Sequence, residues 1–161
     1  MSVLRLRRTT PEAVRRLRVD ARRLAWGVTP DGTPVVATET ALHVGDEHVA
    51  WVQVEKAIWA PPLLTVTEVA EVEGTGTRRV LHLEDQRGLA EVVRARVTSS
   101  VGWTDRRRLV PEGVIRVVGR RVPGEDALLW QVVWLEGTDP ADPLLRAQAE
   151  QVVAELRATL G

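Results

Sequence analysis

The sequence predicts an α+β fold, and three observations carry that prediction. Between Arg23 and Asp85 the apolar residues alternate with period two and turn residues punctuate short segments, which is the pattern of strands. Residues 98–135 repeat the pattern as three further segments around two glycine-containing turns. Near the start, at about 89–97 and at the end, apolar residues recur at spacings of three and four, as on one face of a helix. The chain thus reads as a helix (1–23), a β-rich unit closed by a helix (24–97), and a three-stranded antiparallel β-meander with a C-terminal helix (98–161), either adjoining or as one continuous domain.

Thr10-Pro11-Glu12 starts the first helix, with a cap residue, a proline at the first helical position and an acid in the first turn. Val14, Leu17, Ala21 and Leu24 form its stripe, opposite Arg15, Arg16, Arg18, Arg22 and Arg23. Strands are then expected at Leu24 to Thr29, Thr33 to Thr38, Ala41 to Val44 and His48 to Trp59, with Pro30-Asp31-Gly32 and Gly45-Asp46-Glu47 as turns. In the long strand Trp51, Gln53, Glu55, Ala57 and Trp59 share one face, so Trp51 and Trp59 are expected to be part-exposed or to meet another element. Pro61-Pro62 ends it, Leu63 to Val72 and Arg78 to Leu83 flank a turn at Glu73-Gly74-Thr75-Gly76, and a helix runs from Leu89 to about Val97.

In the meander, Pro111-Glu112-Gly113 fits a three-residue loop and Val122-Pro123-Gly124-Glu125 a two-residue turn. These loops set Leu109 opposite Ile115, Arg108 opposite Arg116, and Trp130 opposite Val117. One face then collects Trp103, Leu109, Ile115, Val117, Trp130, Val132 and Trp134 as a core; the other carries Arg106, Arg108, Arg116, Arg120 and Gln131. Asp105 and Arg107 fall on the core face, which requires either the edge of the helix's cover or a bulge. Asp139-Pro140 or Asp142-Pro143 opens the last helix, whose stripe of Leu145, Ala149, Val152, Leu156 and Leu160 covers the core face.

With 161 residues, 44% of them hydrophobic, the chain is long enough to bury a sizeable core. It has no Cys, which excludes disulfides, thiolate metal sites and cysteine nucleophiles. The longest apolar stretch, Ala127 to Leu135, is interrupted by Gln131 and far too short to span a bilayer, so a soluble, cytoplasmic protein is expected. Arginine outnumbers lysine 21 to one, and Asn, Phe and Tyr are absent, as in the products of GC-rich genomes; arginine abundance alone is therefore a weak signal of function. The net charge is zero, yet residues 1–25 carry 8 cations against 2 acids, 26–73 carry 1 against 8, 74–121 carry 11 against 5, and 122–161 carry 2 against 7. Such blocks neutralise one another within the fold or across an oligomer, or else serve an external polyanion.

The strand Pro34 to Val44, then Val49 to Ala57, then Leu64-Thr65-Val66, then Val80 to Leu83 and a closing helix together resemble a bacterial pleckstrin-homology-like (PH-like, or GRAM-like) domain over about residues 24–97. In that family a strand resembling "lTdrrLhv" precedes one resembling "ipWdrI", and a helix closes a small bent barrel. The resemblance implies a PH-like bent β-barrel here and a habit of binding partners. It implies no ligand, because Glu39 and Thr40 replace the basic residues that follow the first motif's Thr, and no lysine-rich phosphoinositide loop is present.

Among side-chain constellations, Arg106, Arg108, Arg116 and Arg120 are the candidate site, since opposed like charges destabilise a sheet unless an anion or an acid sits among them. His43, Asp46 and His48 straddle one turn but lack the spacing of a zinc site, and neither a cofactor motif nor a nucleophile with its base is identifiable. The expectation is a non-catalytic binding or scaffold protein that meets another protein or its own copy. The alternative is a nucleic-acid or anionic-ligand binder using the arginine face, with an enzyme of unidentifiable class third. The first helix lacks the aromatic anchors of an interfacial helix, so a membrane is not expected as partner.

Overall fold

The computed structural model describes residues 10–69, 76–86 and 88–161. It shows an α+β chain with three antiparallel sheets and a C-terminal helix. The first sheet is built from β1 (Arg23–Val28), β2 (Pro34–Thr38), β3 (Ala41–Val44), β4 (Glu47–Ala50) and β8 (Asp85–Gln86), ordered β4-β3-β2-β1-β8. The second is β5 (Val54–Ala60), β6 (Leu63–Glu68) and β7 (Arg78–His82) in sequence order. Helix α2 (Leu89–Ser100) lies on both, and Val35, Leu42, Trp51, Leu64, Leu89 and Val93 belong to one shared core. The sheets do not close into a barrel: among the described residues no strand pair joins them. The ladder breaks where a 3₁₀ turn, Trp51–Gln53, separates β4 from β5.

That turn corrects the expected strand from His48 to Trp59. Trp51 is 4% exposed, and its indole Nε1 donates to the Thr38 carbonyl at 2.9 Å. Gln53 Oε1 accepts from the Ala50 amide at 3.3 Å, so a local side chain satisfies backbone that strand pairing would have used. The rotation swings Trp51 from the face of Glu55 into the core. Trp59 remains half-buried against that core.

The N-terminal helix is also shorter than the stripe implied. Only α1 (Glu12–Arg16) is helical, and residues 1–9 lie outside the described residues. Val14 is buried and packs α1 on β2, but Leu17 is already extended, and Ala21 and Leu24 lie beyond the helix. One turn has few internal hydrogen bonds to stabilise it. Arg23 Nη2 donates to the Leu17 carbonyl at 2.7 Å, while Leu24 onward is held by the pairing of β1 with β2. The end of the strand expected over Leu63 to Val72, and most of the turn after it, lie outside the described residues, β6 ending at Glu68.

The third sheet is the meander of β9 (Val101–Arg108), β10 (Val114–Arg121) and β11 (Leu128–Trp134). Both hairpins are shifted by two residues from the expected register: Arg106 faces Arg116, Arg108 faces Val114, and Val117 faces Val132. The turns are longer than the minimal ones. Glu125 N bonds the Val122 carbonyl as expected, but pairing begins only at Arg121 and Leu128. Gly113 has φ +146°, and a Cβ there would meet Thr138 Cγ2 at 3.0 Å, because Thr138 exchanges hydrogen bonds with the Val114 backbone. A shift of two preserves which face each side chain occupies, so the second core assembles as expected. Ile115, Val117, Trp130, Val132 and Trp134 meet Leu145, Ala149 and Leu156 of α3 (Pro143–Leu160). Asp142 caps α3, accepting from Leu144 N at 2.9 Å, with Pro143 at the first position. Trp103 is the exception: 42% exposed, on the edge strand β9, it departs from its expected core place. Asp105 and Arg107 on the same strand pair with each other at 2.7 Å, and α3 packs mainly on β11.

Candidate functional site

Helix α2 runs without a loop into β9, so the arginine face of the meander is folded back toward α2 and β5. Alternation places Arg106, Arg108, Arg116, Arg120 and Gln131 on that face, but the structure divides them into two groups. Arg120 is 3% exposed. Its Nη1 donates to Ser100 Oγ at 2.6 Å and to the Val97 carbonyl at 3.4 Å, its Nε to Gln131 Oε1 at 2.9 Å, and its Nη2 to the Glu55 carbonyl at 3.3 Å. Gln131 Nε2 in turn donates to the Val52 carbonyl at 2.5 Å. One guanidinium thus ties β10 to β11, to the end of α2 and to β5.

This cluster explains two local features. The last carbonyls of a helix lack backbone partners within it, and the negative end of its dipole favours a cation, so Arg120 joins Ser100 Oγ, which donates to the Val97 carbonyl at 2.7 Å, in closing the end of α2. That contact also accompanies the continuation of α2 to Ser100, beyond the expected end near Val97. Burial pushes the Arg120 guanidinium below the ordinary arginine range; Glu55 counters the shift and Arg116 adds to it.

Arg106, Arg108 and Arg116 are exposed, and Arg106 and Arg116 are direct cross-strand partners. None of the three has an ion-pair partner among the described residues. The acids among the described residues therefore leave this part of the face uncompensated. Arg106 and Arg108 line an open hollow beside the Leu109–Val114 turn, and Arg116 borders a groove of about 480 Å³ where β5, α2 and the meander meet. Lys56 of β5 and Arg94 of α2 line that groove as well. Sequence reasoning did not include them; the available signal was Lys56, the single lysine of the chain, standing in its most acidic block.

His43 and His48 are cross-strand partners on β3 and β4, their rings stacked with centroids 5.5 Å apart. Burial lowers the His43 pKa, the neighbouring His48 lowers it further, and Asp20 opposes both. Among the described residues no group of three or more His, Cys, Asp or Glu is placed to hold a metal ion.

No family model, curated protein or solved structure matches the chain. The site must be read from its own chemistry. Among the described residues no helix is long and apolar enough to cross a membrane.

Proposed function

We propose that the chain is a non-catalytic binding module of PH-like type, in which the meander presents the arginine face to a protein partner or to a second copy. The observation that carries the reading is the exposed juxtaposition of Arg106 and Arg116, with Arg108 beside them and, among the described residues, no carboxylate paired to any of the three. Opposed like charges cost a sheet stability unless something negative covers them, so an acidic partner surface suits this face. The chain's own C-terminal block is acidic, 2 cations against 7 acids over residues 122–161, with Glu125, Asp126 and Glu136 exposed, which makes a second copy chemically suitable. The PH-like reading is supported by the order of elements: four strands, three strands, the short β8 and a closing helix precede the meander.

Purification of the tagged chain from its own organism, with and without nuclease, tests the proposal. A protein, or untagged copies of the chain, should be retained after nuclease treatment and lost from an R106E/R108E/R116E variant of unchanged circular dichroism. Retention that ignores the variant, or turnover of a metabolite in an unbiased screen, would end this reading.

A second reading, nucleic-acid binding, draws on the same face. From Arg108, opposite Val114, to Arg116 the stripe extends only a few residues along the hairpin, enough for about three phosphates of a single strand at 3.3 Å per residue. It predicts retention on heparin at low salt and a log–log salt slope of about −2 for single-stranded nucleic acid, becoming shallower in R106Q/R108Q. A slope near zero would remove it.

A further inference from the structure

We propose that the groove at the seam between the two cores binds a phosphomonoester dianion. The inference rests on the anion reading of the arginine face and narrows it to the end running from Arg116 to Arg120, a groove that Arg106 and Arg108 do not line. Four cations border this groove: Lys56 from β5, Arg94 from α2, and Arg116 and Arg120 from β10. Glu55 is the carboxylate among its lining residues. Lys56, Arg94 and Arg116 are exposed and have no ion-pair partner among the described residues.

Arg120 gives the seam its chemical character. Its four hydrogen-bond acceptors are two backbone carbonyls, a hydroxyl and an amide oxygen, all uncharged. The guanidinium is therefore solvated internally, but its charge is offset only by the end of α2 and by Glu55 at longer range. A buried cation in contact with neutral groups keeps its charge unneutralised, so it adds to the positive potential of the adjoining groove. Arg116 and Arg94 add planar forks that match two oxygens of a tetrahedral anion, and Lys56 adds a point charge. The hydroxyls of Thr98 and Thr104 line the same groove and can donate to further oxygens.

The stoichiometry of charge selects the ligand class. Four cations against one carboxylate leave an excess that a monoanion such as a carboxylate or sulfonate only partly offsets. A phosphomonoester carries about −1.5 to −2 at neutral pH. At about 480 Å³ the groove has the size of a small-molecule site, whereas a polynucleotide would need the whole stripe. Because Lys56 and Arg94 belong to the first core and Arg116 to the second, the dianion would bridge them, and binding should stabilise the seam.

Thermal unfolding of the full chain with glycerol phosphate as probe tests this. The midpoint should rise by about 3–6 °C toward saturation, well beyond the effect of sodium chloride or methanesulfonate at matched ionic strength. K56Q/R94Q, which replaces two exposed side chains, should weaken the apparent affinity at least tenfold while keeping heparin retention through Arg106 and Arg108. R106Q/R108Q should do the reverse. No shift in the wild-type chain, an equal shift in K56Q/R94Q, or an equal shift with methanesulfonate would each overturn the proposal. Loss of heparin retention with the phosphate shift intact would overturn only the polyanion reading.

Discussion

Arg120→Ala is expected to destabilise the chain by about 3 kcal/mol and to uncouple its two cores. The substitution removes the donor now shared by four acceptors, the Glu55 and Val97 carbonyls, Ser100 Oγ and Gln131 Oε1, of which the Val97 carbonyl keeps a second donor, Ser100 Oγ at 2.7 Å. Each hydrogen bond to a charged donor contributes roughly 1.5–3 kcal/mol, and burying the cation costs several kcal/mol in return, which leaves the net loss near the figure given. Arg120→Met separates these opposing effects, since it keeps the aliphatic stem and removes the charge. It should still lose about 2 kcal/mol, because the acceptors remain dry. Arg120→Lys should not rescue, as one ammonium cannot reach partners on β11, α2 and β5 together. Urea unfolding followed by tryptophan fluorescence reads both consequences: a lower midpoint, and a second transition as the α3 core and the α2 core melt separately. A Met variant as stable as the wild-type chain, unfolding in one step, would show that the seam is held by packing and not by this network.

The same residue shows how far sequence carries and where it stops. Period-two alternation puts Arg120 on the face of Arg106, Arg116 and Gln131, and the structure agrees even though both hairpins are shifted by two residues, because a shift of two leaves every side chain on its side of the sheet. What covers that face is decided by Val52, Glu55, Val97 and Ser100, which lie 20 to 79 residues away from their partners in the chain. No local pattern encodes such a contact. For that reason one uniform arginine face in the sequence becomes a buried clamp at Arg120 and an exposed surface at Arg106, Arg108 and Arg116. The first helix failed in the opposite way: the three-and-four spacing of Val14, Leu17, Ala21 and Leu24 is present in the sequence, but the pairing of β1 (Arg23–Val28) with β2 and the Arg23 contacts to the Arg15 and Leu17 carbonyls outweigh what one helical turn contributes, and only Val14 of the four is in the helix.

Trp51→Ala should be the most damaging single truncation in the first core, at about 4 kcal/mol, the range for emptying the space of a buried aromatic ring. Trp51 sits where two sheets and α2 converge, almost inaccessible to solvent, and its Nε1 bond to Thr38 anchors the 3₁₀ turn against β2. Trp51→Phe divides the effect. It retains most of the ring and removes the donor, leaving the Thr38 carbonyl unpaired, so about 1–2 kcal/mol should be lost. The consequence reaches the seam because Val52, the next residue, accepts from Gln131. A relaxed turn would move that carbonyl and slacken the Gln131–Arg120 pair, so Trp51→Ala combined with Arg120→Ala should cost less than the two separately. Double-mutant analysis by urea unfolding measures that coupling, and strict additivity would mean that the two cores are joined without help from the turn. Trp51 is thus the residue that lets one chain place β5 under the arginine face.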